Sequence, residues 1–230
     1  MRRPSQRLAA WIRKRAADVR DGIGASGGTK RRFADSESGI ATLEFALLVP
    51  VLLLLVYGVA EYVNAADHRN KVSALARTLA DLTSQNSTQQ ITLATMTDNL
   101  RAAAPVLAPF DATLATIQIS AIGVNAGNAT FVCSTWPTTG GLRTKGKTTT
   151  VDVPTNFQRS GARFVLAEVQ MDYKPLFATI ISRLMEKAEA FNFRWSESVA
   201  WPVRGGGSQG TGLDAEVVMP NGSPCDPKLT

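Results

Sequence analysis

Residues 40–60 of this 230-residue chain read IATLEFALLVPVLLLLVYGVA, an apolar run in which Glu44 carries the only charge. At about 1.5 Å rise per residue, a helix of this length measures roughly 31 Å, which matches the hydrocarbon core of a bilayer. Glu61 follows directly and is expected to mark the outer boundary. The sequence therefore predicts a single transmembrane helix over residues 40–63.

The charges on the two sides of this helix are distributed unequally. The leader, residues 1–39, holds ten Lys or Arg against four Asp or Glu, whereas residues 40–230 hold fifteen of each. Basic residues collect on the cytoplasmic side of spanning helices. We therefore expect a basic cytoplasmic leader with the bulk of the chain across the membrane. A cleaved secretory signal is disfavoured, because the leader and the apolar run both exceed the lengths usual for such signals.

Glu44 lies about one helical turn inside the predicted span. A charged side chain costs roughly 2.5 to 3.5 kcal/mol at the centre of a spanning helix, and less near its ends. Two interpretations stay open from periodicity alone: the carboxylate extends to the headgroups, or it has a partner within the membrane. Pro50 is tolerated in a spanning helix and indicates a kink or local loosening there.

The apolar pattern continues beyond the span. One stripe recurs at alternating spacings of three and four residues: Ala65, His68, Val72, Leu75, Leu79 and Leu82. This stripe predicts that the spanning helix extends outward as an amphipathic helix. His68, the only histidine, is expected to be packed rather than to bind a ligand. A second helix is predicted from the capping pair Ser87 and Gln90 to near Pro105.

The apolar period then changes to two, which is typical of strands. Four strands are predicted, near residues 117–121, 130–136, 165–173 and 191–203, together with an amphipathic helix that starts at Pro175. The fold class is therefore α+β: a single transmembrane helix continuing into a long amphipathic helix, then a mainly antiparallel sheet with covering helices in one domain over residues 64–203. Residues 138–161 are predicted to form a mobile loop, and residues 204–230 a flexible Gly-rich tail.

Cys133 and Cys225 are the only cysteines, and both lie on the predicted far side of the membrane. An oxidising compartment favours a disulfide between them. Because the sequence gives no distance between the two residues, isolated thiols are the alternative.

The sequence carries little that indicates catalysis. It has a single histidine, no HExxH zinc motif and no Cys/His cluster with metal-ligand spacing. We therefore expect no enzyme, no cofactor and no metal site. Because the excess of basic charge is confined to the leader, the outer domain is not expected to bind nucleic acid.

Residues 39–45, GIATLEF, resemble the processing site of type IV prepilins: a Gly, four residues, then Glu and an aromatic at the head of an apolar helix. Residues 39–85 as a whole resemble the TadE/TadG-like family, minor pilin-like proteins of the tight-adherence (Tad, Flp pilus) secretion machinery. The family's order of motifs is matched by Glu44-Phe45-Ala46, Pro50, the aliphatic residues 52–55, Gly58 and Glu61.

This resemblance implies that a prepilin peptidase cuts after Gly39 and leaves Ile40 as the mature N-terminus. Glu44 would then pair with the new α-ammonium of a neighbouring subunit, within a packing surface that also holds Phe45 and Pro50. It further implies a bacterial inner-membrane component for assembly of a Tad/Flp-type adhesion pilus or its secretion apparatus. Its C-terminal domain would be periplasmic or surface-associated, and its partners would be other pilin-like and Tad secretion proteins.

The alternative is a single-pass anchored periplasmic binding module that recognises an envelope ligand. In that case the helix is only an anchor, and Glu44 beside a glycine processing site has no function in assembly.

Overall fold

The computed structural model describes residues 37–137, 143–148, 151, 153–175, 193–208 and 213–226. The chain forms two compact units, residues 1–59 and residues 60–230. Most of the predicted leader, and the helix predicted to start at Pro175, lie outside the described residues.

A single α-helix, α1, runs from Glu37 to Ser84 and includes Pro50. The prediction of one long N-terminal helix is confirmed. Beyond the predicted span, the apolar stripe faces the core, because His68, Val72, Leu75 and Leu79 are each 2 % exposed or less. The spacing of three and four residues puts these side chains on one side of the helix.

The domain contains one five-stranded sheet in which every neighbouring pair is antiparallel. Its strands, in chain order, are β1 (Thr116–Val124), β2 (Thr130–Trp136), β3 (Gly146–Thr148), β4 (Arg163–Tyr173) and β5 (Phe193–Pro202). The spatial order is β3-β2-β1-β4-β5, so the short β3 and the long β5 form the two edges. The predicted α+β class is confirmed.

The turn between β1 and β2 is closed by asparagine residues. The Asn125 side-chain oxygen accepts hydrogen bonds from the backbone N–H groups of Gly127, at 3.0 Å, and Ala129, at 2.9 Å. Asn128 has a φ of 55°, in the left-handed region that asparagine adopts more readily than most residues. Local side-chain chemistry therefore closes this hairpin.

The second helix, α2, runs from Leu93 to Ala103, and its cap is not the predicted pair. The Thr92 hydroxyl accepts from the backbone N–H of Thr95 at 3.1 Å. Gln90 instead forms an isolated parallel bridge with Val218. Because the backbone there is already paired, the helix begins later than the Ser87 and Gln90 pattern indicates. Short 3₁₀ helices follow at Ala104–Leu107, Ala112–Leu114 and, before β4, Thr155–Phe157.

The predicted loop and the predicted tail both contribute to the core where they are described. Val151 and Phe157 belong to a cluster on one face of the sheet, around Phe164. Val217 and Met219 are completely buried in the main cluster with α1 and α2. The prediction of a flexible tail is therefore wrong for residues 213–226, because their apolar side chains cover the same face of the sheet as α1.

Leu79 tests whether α1 is a core element. Replacing this fully buried side chain by Ala should lower the free energy of unfolding by about 2–5 kcal/mol, since it leaves a cavity between helix and sheet. The matched control is Leu93→Ala, at a leucine that is 57 % exposed, which should change stability by less than about 0.5 kcal/mol. Urea unfolding of the full chain in detergent measures both. Equal losses in the two variants would contradict the assigned core.

Candidate functional site

The candidate site is the surface of α1 along residues 40–63. Its large apolar side chains are between 48 % exposed, at Tyr57, and 75 % exposed, at Tyr62. Among the described residues, α1 is the one helix long and apolar enough to cross a membrane, and its most apolar window is not buried by the chain. An apolar surface of this extent is typical of a membrane or protein interface.

The predicted processing residues lie at the start of this helix. Gly39 and Ile40 are in the first turn of α1, and Ile40 is 60 % exposed.

The predicted packing residues lie just beyond, on the same exposed surface. Phe45 is 67 % exposed, and within the described part of the chain Glu44 has no ion-pair partner. Glu44 shares one side of the helix with Leu48, Val51 and Leu55, at spacings of four, seven and eleven residues. Pro50 lies on the helix within this segment.

Where α1 leaves the predicted span, it is fixed to the end of β4. The Tyr173 hydroxyl donates a hydrogen bond to the Glu61 carboxylate. Burial, followed by this bond to a negatively charged partner, raises the pKa of Tyr173 well above its ordinary value. Tyr173 therefore remains a neutral donor at any physiological pH.

The His68 ring packs against the rings of Phe110 and Tyr173. Its ring centroid is 4.5 Å from that of Phe110, edge to face, and 5.1 Å from that of Tyr173. Burial lowers the pKa of His68, and this effect outweighs the opposing influence of Asp67. The ring is a neutral, packed side chain, as predicted, and its Nδ1 has no hydrogen-bond partner within the described residues.

The edge strand β5 is held to α1 in two places. In its first half, Arg69 pairs with Glu197 at 3.2 Å, and the Arg69 guanidinium lies 5.6 Å from the ring centroid of Trp195. At its end, the Trp201 indole N–H donates to Asp81 at 3.1 Å. Because these contacts are far apart along the helix, they fix β5 in orientation as well as position.

Two acidic side chains of β4 are each paired with an arginine. Glu168 is 9 % exposed and accepts from the Arg143 guanidinium, with Nη2 to Oε1 at 2.7 Å. Asp172 accepts two hydrogen bonds from Arg194, at 2.7 and 3.1 Å. These carboxylates are occupied by structural ion pairs, which explains them without catalysis.

Cys133 and Cys225 form a disulfide, with their Cα atoms 4.6 Å apart. A β-bulge produces this geometry, because Ala121 pairs with Ser134 and Ile122 with Val132, which leaves Cys133 as the extra residue of β2. The alternative of isolated thiols is therefore wrong.

The Glu216 carboxylate lies beside this disulfide. It accepts from the backbone N–H of Cys225 at 3.1 Å, and the three side chains are close enough to hold a metal ion. Because both sulfurs are bonded to each other, the cluster is not a metal site in this form.

A buried ion pair lies beside the bridge. Arg163 Nε is 3.8 Å from Glu216 Oε2, and both side chains are 3 % exposed or less. Burial lowers the pKa of Arg163, and burial raises the pKa of Glu216, although the Cys225 N–H and Arg163 oppose that rise. Removing either partner would leave an uncompensated buried charge, which is strongly destabilising. The pair therefore helps to fix residues 213–226 on the sheet.

Two strings fit enzyme motifs by spacing alone, and sequence reasoning missed both. Residues 141–148, GLRTKGKT, fit the phosphate-binding P-loop, which needs a helix directly after the loop. Here Gly146–Thr148 is the edge strand β3, and the described residues between it and β4 contain no α-helix. The second string, residues 24–28, GASGG, fits the G-x-S-x-G nucleophile motif and lies outside the described residues.

These features define an α+β domain on a long helix that includes one candidate membrane span. The family model described as TadE-like protein matches residues 39–81, which confirms the resemblance seen in the sequence. That segment comprises the candidate site and the buried part of α1 up to Asp81. The TadE-like family is a family of pilus components with no known enzymatic activity. No curated protein and no solved structure matches the chain.

The disulfide should contribute strongly to stability, because it closes a loop whose ends are 92 residues apart in sequence. The double variant Cys133→Ala, Cys225→Ala should lower the free energy of unfolding by about 2–5 kcal/mol. Urea unfolding of the full chain in detergent measures this. As a control, alkylation of the denatured, non-reduced wild type should label neither cysteine. An unchanged unfolding midpoint, or two labelled thiols, would contradict the assignment.

His68 should make stability depend on pH. Its pKa is lower in the folded than in the unfolded chain, so protonation favours unfolding and stability falls as the pH drops through about 6.5 and below. Glu216, whose pKa is raised, has the opposite dependence, so the comparison with His68→Gln isolates the histidine. Melting temperatures between pH 7.5 and 5.5 should show the wild type losing more stability than the variant. A constant difference between the two would contradict this prediction.

Proposed function

We propose that this protein is a single-pass, membrane-anchored, pilin-like component for assembly of a Tad-type adhesion pilus or its secretion apparatus. The observation that carries the proposal is the exposed apolar surface of residues 40–63 within the segment that matches the TadE-like family. A pilus-related role is supported by that match, and a membrane anchor by the length and composition of α1; we place this anchor in the bacterial inner membrane. The partners would be other pilin-like and Tad secretion proteins.

In this proposal Glu44 has a specific role in subunit packing. A prepilin peptidase would cut after Gly39, and the α-ammonium of Ile40 in one subunit would pair with Glu44 of its neighbour. Such a pair would offset the cost of holding a charge one turn inside the span, which is smaller than the roughly 2.5 to 3.5 kcal/mol at the centre of a spanning helix. Phe45 and Pro50 would form part of the same packing surface between subunits.

The alternative, an anchored module that binds an envelope ligand, is supported less well. A cavity of about 730 Å³ lies beside the end of β5 and is lined by three arginines and by Trp201. Each arginine already faces a carboxylate, in the pairs Arg159–Asp214, Arg163–Glu216 and Arg204–Asp81. Since these charges are matched within the chain, the cavity offers no unopposed charge to a ligand.

The assembly proposal predicts that Gly39 and Glu44 act at different stages. Gly39→Leu should block cleavage, because a side chain would fill the peptidase site, and should leave an uncut chain in the membrane. Glu44→Ala should insert and be cut normally, and should lose most crosslinking to other pilus components. Thr42→Ala is the matched control for a change in the same helical turn. N-terminal mass and crosslinked recovery from native membranes measure the two stages.

Two outcomes would count against the proposal in different ways. If Glu44→Ala assembles as well as Thr42→Ala, Glu44 is a boundary residue and the anchored-module alternative is preferred. If the wild type keeps its leader in cells with an active prepilin peptidase, the processing step is wrong, although assembly could still take place.

Topology can be measured independently of assembly. Because ten basic residues precede the predicted span and the charge after it is balanced, the C-terminal domain should be on the far side of the membrane. Alkaline phosphatase fused after Val203 should therefore be active. Activity of a cytoplasm-only reporter at the same position would reverse the proposed orientation.

A further inference from the structure

We propose that the end of the domain at Tyr173 lies on the outer surface of the bilayer, with Leu114 and Phe193 in contact with lipid. This inference rests on the proposed single-pass anchor. It goes beyond that anchor by assigning a second membrane contact, made by side chains distant in sequence from the span.

The Tyr173 hydroxyl lies close to the residue that marks the outer membrane boundary. Glu61 lies two residues before the outer end of the predicted span, and the Tyr173 hydroxyl is hydrogen-bonded to it. The headgroup region on each side of a bilayer is roughly 5–7 Å thick, about twice the length of a hydrogen bond. If Glu61 is at the membrane boundary, the Tyr173 hydroxyl is therefore within the headgroup region, and the end of β4 lies one tyrosine side chain from it.

Exposed apolar side chains of the domain are concentrated at this same end. Outside the predicted span, the described residues include three large ones: Leu93, Leu114 and Phe193, which are 57 %, 66 % and 51 % exposed. Two of these are at the Tyr173 end. Phe193 is paired with Tyr173 between β5 and β4, and Leu114 lines a cavity of about 410 Å³ together with Asn64 and Tyr173.

Leu93 is an exposed leucine that is not part of the Tyr173 end. It begins α2, and the backbone just before it is bonded to the C-terminal segment, where the Ile91 N–H donates to the Val218 carbonyl at 2.9 Å. Leu93 is 57 % exposed and does not line the cavity beside Tyr173. It is therefore similar to Leu114 in exposure but is not placed beside the predicted membrane boundary.

The side chains at the Tyr173 end also have the character of a membrane interface. Tyr62, 75 % exposed, supplies an aromatic ring of the kind that collects at headgroup level. The charged groups near it and near Tyr173 are three acidic and two basic: Glu61, Asp111, Asp172, Lys174 and Arg194. Because this group has no excess of positive charge, the contact should gain nothing from anionic lipid.

Fluorescence quenching in nanodiscs tests the proposal on the full chain. Single cysteines at Leu114, Leu93 or Leu47 carry an environment-sensitive probe, and the bilayer contains phosphatidylcholine with a nitroxide just below the headgroup. The native cysteines form a disulfide and do not react. Quenching at residue 114 should be several-fold greater than at residue 93, because Leu114 lies beside Tyr173 and Leu93 does not. Adding phosphatidylglycerol should not raise the ratio.

The probe at Leu47 tests the membrane anchor separately from the second membrane contact. Strong quenching at 47 with equally weak quenching at 114 and 93 would overturn the second contact while the anchor stands. Weak quenching at 47 would refute the anchor, and the proposal with it. Phe193→Cys is a second probe of the same surface should Leu114→Cys fail to fold, and it should behave as residue 114 does.

Discussion

The apolar stripe of α1 is the constraint on which the rest of the structure depends. The same helix that is apolar on every side along residues 40–60 becomes apolar on one side only from His68 onward. A fully buried leucine contributes about 1.5–3 kcal/mol, so Leu75 and Leu79 alone favour strongly a helix that lies against the sheet. The sheet therefore cannot form its core without the helix that also carries the candidate span.

Two sets of contacts hold the sheet against the outer part of that helix. Tyr173 is bonded to Glu61 at the end of β4, and the edge strand β5 is fixed to α1 through Glu197 and Trp201. The Cys133–Cys225 disulfide joins residues 213–226 to β2. Each of these contacts joins residues far apart in sequence.

Much of this architecture could be predicted from the sequence, where local pattern and tertiary structure agree. The long helix, the β1–β2 hairpin and the packed His68 follow from spacing and turn chemistry. The cap of α2 could not be predicted, because Gln90 pairs with Val218, and the sequence gives no sign of that distant bridge. The burial of Val217 and Met219 was missed for the same reason: a Gly-rich context predicts a tail unless the sheet face that needs covering is known. The pairing of the two cysteines could be predicted, because an oxidising compartment favours a disulfide. The β-bulge that brings them together could not, because it is visible only in the strand register.

In the proposed function, the exposed helix is a packing surface between subunits and more than an anchor. Photocrosslinking from residues 43–56, one position at a time in native membranes, distinguishes these two roles. We expect protein adducts that recur every three to four residues and are strongest at Leu48, Val51 and Leu55, on the side of the helix that carries Glu44. Lipid adducts of equal strength at every position, with no periodic protein adduct, would contradict it.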